Sequence, residues 1–129
     1  MEGYWLTHFE TAESRGDGIS ILHDGELLGG DLEHLWSGSY EEDGTHVSAR
    51  IRIVPVVAWP EEELIAREPP IILSLAGQFT DDFARLGGNA EHKKDLHFDI
   101  TLRKCREALA AKSHPEATAE TTVPQGANR

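Results

Sequence analysis

The fold turns on Asp17-Gly18-Ile19-Ser20-Ile21-Leu22-His23-Asp24-Gly25-Glu26-Leu27-Leu28-Gly29-Gly30-Asp31. Ile19 to His23 and Glu26 to Leu28 are two short apolar runs. The Asp24-Gly25 pair between them suits a type I′ turn, because Gly, and Asp to a lesser degree, tolerate positive φ. The segment therefore predicts a β-hairpin that closes on Gly29-Gly30-Asp31, where a strand must end, bulge or bend.

Strand periodicity extends outward from this hairpin on both sides. Upstream, Glu2 to Thr11 places Trp5, Thr7 and Phe9 on one face and Leu6, His8 and Glu10 on the other. Ala12 to Gly16 reads as a polar loop. Downstream, His34 to Glu42 alternates with Trp36, Gly38 and Tyr40 inward, and Glu42-Asp43-Gly44-Thr45 turns the chain. Val47, Ala49, Ile51 and Ile53 then face inward against His46, Ser48, Arg50 and Arg52, the cleanest period of two in the chain. Ile71, Leu73, Leu75, Gly77 and Phe79 form a further inward set. Phe83 to Gly88 is a weaker strand, Gly87 to Lys94 a polar turn region, and Asp95 to Lys104 the last strand.

Eight short strands with turn signals between them predict an all-β, antiparallel barrel or sandwich. Between the fifth and sixth, Val56 to Pro70 predicts a long loop. At most two helical turns start there at Trp59-Pro60, placed as a lid over one end. The barrel domain spans residues 1–105. Residues 106–129 comprise a frayed helical piece over Arg106 to Lys112 and a tail too poor in apolar residues to order.

With 129 residues there is room for one domain and one modest core. The formal net charge of −11 repels phosphate backbones and anionic headgroups, so direct nucleic-acid and membrane binding are both disfavoured. Met1 to Glu10 lacks the basic and apolar regions of a secretory signal, no run reaches membrane-span length, and Cys105 is alone. These features predict a cytoplasmic protein.

The seven histidines are scattered without ligand spacing, so no metal or other cofactor is expected. Asp17, Asp24 and Asp31 lack the spacing of a calcium loop and read as turn residues. No phosphate loop and no Gly-x-Ser-x-Gly elbow occurs, and no acid, base and nucleophile assemble, so an enzyme is not expected. Glu41-Glu42-Asp43 and Glu61-Glu62-Glu63 are acidic runs that read first as solvated faces and second as docking sites for a basic protein. Trp5, Trp36, Tyr40, Phe79 and Phe98, with Phe9, fall on inward faces. Their volume favours a filled barrel over a cavity for one small ligand or acyl chain.

Several segments together resemble the GrlR-type negative regulators associated with type III secretion. They are Gly3-Tyr4-Trp5, the Gly18-to-Asp31 hairpin, Trp36-Ser37-Gly38-Ser39-Tyr40, Ile72-Leu73-Ser74-Leu75-Ala76-Gly77 and Phe98-Asp99-Ile100-Thr101-Leu102. The resemblance implies a lipocalin-like barrel, often a homodimer, that binds and inhibits a transcriptional activator through an acidic Glu-Asp-Glu-Asp surface motif. The matching positions are Glu42, Asp43, Gly44 and Thr45. Two of the four acids are thus present, with Glu41 adjacent. Two expectations follow. The leading one is a non-enzymatic regulator that binds another protein through Glu41, Glu42 and Asp43. The alternative is a carrier or sensor of a small apolar ligand or lipid beside Trp5, Trp36, Tyr40, Phe79 and Phe98.

Overall fold

The computed structural model describes residues 1–56 and 70–105. They form eight strands: β1 (Gly3–Glu10), β2 (Arg15–His23), β3 (Glu26–Gly30), β4 (His34–Asp43), β5 (His46–Pro55), β6 (Ile71–Phe79), β7 (Phe83–Ala90) and β8 (Lys93–Lys104). Each pairs antiparallel with the next in sequence order. β8 returns to β1, with Lys104 opposite Trp5 and Asp99 opposite Glu10, and so closes an up-and-down barrel. Closure pairs both flanks of every strand, which removes the sticky edges of an open sheet. Of the loop expected over Val56 to Pro70, residues 57–69, with the Glu61-Glu62-Glu63 run, lie outside the described residues. So do the helical piece and tail expected over residues 106–129.

The central hairpin forms as its turn chemistry requires. Asp24 and Gly25 have φ of 53° and 82°, and the pair joins β2 to β3 with His23 opposite Glu26. At the other end of β3, Asp31 Oδ1 accepts hydrogen bonds from the backbone N–H of Glu33 (2.7 Å) and His34 (2.6 Å). This Asx-type turn ends the strand after Gly30 and launches β4.

Two boundaries differ from expectation. β2 begins at Arg15 rather than Ile19, because its early inward positions are Gly16 and Gly18, which carry no apolar signal. Their missing side chains are replaced by rings from across the sheet. A Cβ on Gly16 would stand 2.7 Å from Phe9 Cζ, and one on Gly18 would stand 2.7 Å from Trp36 Cη2. β7 likewise continues to Ala90 and β8 starts at Lys93, so the expected polar turn shrinks to Glu91 and His92. The inward residues there are the small Gly88 and Ala90, and a register shift at Asn89 and Ala90 blurs the alternation.

The core is a single cluster drawn from every strand, with Trp5, Leu22 and Leu73 essentially fully buried. Inward Gly38, Gly77 and Gly88 let neighbouring backbone enter the space of a side chain. A Cβ at each would lie 2.0, 1.8 and 1.9 Å from the carbonyl oxygens of Arg50, Arg85 and Ser74, respectively. These close approaches bring adjacent strands together on the inner side of the wall.

The outer surface carries local ion pairs. Glu91, in the β7–β8 turn, accepts bonds from Arg50 Nε (2.8 Å) and Nη2 (2.9 Å) and from Ser74 Oγ (2.7 Å). The Arg50 guanidinium first, and the Ser74 hydroxyl second, lower its pKa to about 2. His8 sits between Glu10 (3.0 Å) and Asp17 (2.7 Å), which raise its pKa, Glu10 foremost. The Glu2 carboxylate, 2.8 Å away, likewise raises that of His23.

The signs oppose one another. The Glu91 contribution is present above the ordinary carboxylate value of 4.5 and is lost as pH falls toward about 2. The His8 and His23 contributions are present below the ordinary 6.5 and are lost as pH rises through their raised values. The urea midpoint is therefore expected to be highest between those two values and to fall on both sides. Glu91→Gln should flatten the acid limb, and His8→Gln the basic limb. A midpoint that rises steadily from acid to base would contradict this assignment.

Candidate ligand cavity

Inside the barrel is a cavity of about 400 Å³. Its middle is walled by aliphatic side chains such as Leu22, Ile51, Leu73, Leu86 and Ile100. At one end it reaches the loop joining β1 to β2, where Glu13 and Ser14 are exposed, and His34 at the start of β4. At the other end the buried Met1 side chain forms part of the wall, while the Met1 ammonium pairs with Glu42. The filled barrel favoured by side-chain volume is thus not what forms.

The reason lies in where the rings go. Trp36 lies flat against the wall at Gly18 and Gly29, with Nε1 only 2.4 Å from where a Gly29 Cβ would be. Phe9 packs edge-on to Trp36 (centroids 6.3 Å apart, planes at 79°) and tilted against Phe98 at 6.4 Å. The inward glycines and Ala49 supply no bulk to fill the lumen that remains.

The five expected cavity residues divide. Trp36, Tyr40 and Phe98 line the cavity, and Trp5 and Phe79 do not. Trp5 fills the end of the barrel where β1 meets β8, with Lys104 Nζ 5.0 Å from its ring centroid. Phe79 ends β6 beside the Thr80–Asp82 turn.

Two buried polar residues of the lining are absent from the expected cavity set, although Thr7 shares the predicted face of Trp5 and Phe9. Thr7 Oγ1 and Ser20 Oγ lie 2.7 Å apart, and Trp36 Nε1 donates to Ser20 Oγ at 2.9 Å. Thr7 and Ser20 are the buried polar residues of an otherwise apolar core. A period-two reading anchored on Leu22 would have put Ser20 inside. The apolar Ile19 and Ile21, which signal the strand, both point outward.

The acidic run is divided as well. Glu41, Glu42 and Asp43 are all exposed at the end of β4, opposite Ser48, Val47 and His46. Alternation puts Glu41 and Asp43 on the outer surface, while Glu42 turns over the barrel end to Met1. On the outer surface of β1 to β4, Leu6, Ile19, Ile21, Leu28 and Leu35 form an exposed apolar strip, with Leu6 opposite Ile19 and Ile21 opposite Leu28.

Among the described residues no three His, Cys, Asp or Glu side chains gather into a set able to hold a metal ion, and no helix is long and apolar enough to cross a membrane. No protein-family model matches the chain, and none of the curated proteins does.

Proposed function

We propose that this protein is a non-catalytic binder of a small apolar molecule, a carrier or sensor that works in the cytoplasm. The cavity carries this reading: about 400 Å³ of largely apolar space inside a closed barrel falls within the size range of small-molecule sites. A void of that size is costly to a small protein unless something occupies it, because its lining forgoes dispersion contacts.

Native mass spectrometry of freshly purified protein, in low and moderate salt, tests it. The expected spectrum contains a co-purified adduct of a few hundred daltons or less. Ala49 lines the cavity between Tyr40 and Leu75. Ala49→Phe should remove the adduct while leaving stability unchanged or raised by about 0.5–2 kcal/mol, as cavity filling does. If the adduct persists in Ala49→Phe, it is bound elsewhere and the reading fails.

The outer apolar strip favours a second reading: a regulator that pairs as a homodimer and binds another protein, as the resemblance to GrlR-type regulators implies. Exposed apolar side chains next to one another on a sheet face commonly mark an interface. Glu41 and Asp43 would then meet a basic partner, such as a transcriptional activator. The same spectra bear on this reading, since a dimer that disappears in Leu28→Lys supports it and a monomer at every salt concentration counts against it.

A further inference from the structure

We propose that the cavity selects a neutral single-headed amphiphile, its hydroxyl or carbonyl head seated on Ser20 and Thr7, over a fatty-acid anion of the same length. This rests on the ligand-binding reading above and names the chemistry of the ligand. Counting protons at the buried triad leads to it. The Trp36 indole N–H is used on Ser20 Oγ at 2.9 Å, and one hydroxyl proton is used in the 2.7 Å contact between Ser20 and Thr7.

One hydroxyl proton remains. If Ser20 donates to Thr7, the Thr7 proton has the Trp5 carbonyl at 3.4 Å, beyond a good hydrogen-bond length. If Thr7 donates to Ser20, the Ser20 proton has no acceptor among the described residues. Either way a donor is under-used in a site where Ser20 is 1% exposed. A spare lone pair on one or both oxygens can also accept. An alcohol satisfies both sides of this deficit, and a ketone satisfies the donor.

A carboxylate fits poorly. Buried charge needs a partner, and no Lys or Arg lines the cavity among the described residues. The Met1 ammonium at the far end is held by Glu42. His34 is at the near end, and its buried Nδ1 makes no hydrogen bond. Asp31 Oδ1 at 3.4 Å and Glu13 at that same end already supply carboxylates there, so a second anion would add like charge. The net charge of −11 also repels an approaching anion. The volume holds about a dozen non-hydrogen atoms, at the ~30 Å³ each that water takes in the liquid.

The test is calorimetric titration with 1-nonanol and with sodium nonanoate at neutral pH, alongside headspace partitioning of nonane. Wild type should bind nonanol at least about tenfold more tightly than nonanoate. Ser20→Ala should weaken nonanol by about three- to tenfold, the worth of a hydrogen bond, and leave nonane uptake unchanged. Thr7→Val has nearly the same shape and keeps the Trp36–Ser20 bond, so it gives a folded control variant, and it should weaken nonanol by about threefold. Nonanoate binding as tightly as nonanol would overturn the head-group assignment. So would nonanol binding that neither variant weakens, while nonane uptake would leave the carrier reading standing. If none of the three molecules binds, the carrier reading falls with it.

Discussion

Gly77→Ala is expected to unfold the barrel or nearly so, while Gly87→Ala on the same ladder is expected to change almost nothing. The two substitutions add the same methyl group. At Gly77 the new Cβ would stand 1.8 Å from the Arg85 carbonyl oxygen and 2.7 Å from Leu86 Cα. Both are backbone atoms of β7, in the ladder that pairs Gly77 with Leu86 and Gln78 with Arg85. Relief would require drawing β7 away from β6, and β7 is held on its other side by β8.

Ordinary overpacking costs about 1–3 kcal/mol when side chains can yield. Here they cannot, so a loss of about 4 kcal/mol or more is expected, against a total stability of about 5–15 kcal/mol for a domain. At Gly87 the nearest atom to a new Cβ is Asp99 Oδ1 at 3.5 Å, an ordinary contact with a movable side chain. That substitution should lie within about 0.5 kcal/mol of wild type. Urea unfolding followed by far-ultraviolet circular dichroism measures both. Equal midpoints for the two variants would mean that β6 and β7 do not approach as closely as described.

Trp36→Ala should cost about 3–5 kcal/mol, the range for deleting a buried large aromatic ring. The indole is buried, covers Gly18 and Gly29, meets Phe9 edge-on and donates to Ser20 Oγ. Its removal exposes two side-chain-free stretches of wall at once. Trp36→Phe separates the two roles of the ring. It retains much of the packing and loses the N–H, so about 1–2 kcal/mol is expected for the loss of hydrogen bond and volume together. The same urea titrations serve, and a Trp36→Ala cost below about 1 kcal/mol would show that the ring is not seated on the glycines.

The barrel was largely legible because its signals are local. Asp24-Gly25 demands a turn whatever surrounds it, and Val47, Ala49, Ile51 and Ile53 alternate so regularly that one residue of slippage would bury Arg50 and Arg52. Eight such strands with turn signals between them leave an antiparallel barrel or sandwich, and the pairing of β8 with β1 decides for the closed barrel. The interior was much less legible. Counting inward aromatics suggested a filled core, yet the space a ring occupies depends on the wall it faces. Trp36 lies against Gly18 and Gly29, which are neighbours only through the β2–β3 and β3–β4 registers.

Local pattern thus determined the strands, the turns and the inward faces, since each rests on the backbone preferences of a few adjacent residues. The cavity, the Thr7–Ser20–Trp36 contact and the pairing of Glu42 with the Met1 ammonium were decided by tertiary structure. Each depends on which strands the closed register brings side by side, and on how closely side-chain-free positions let them approach.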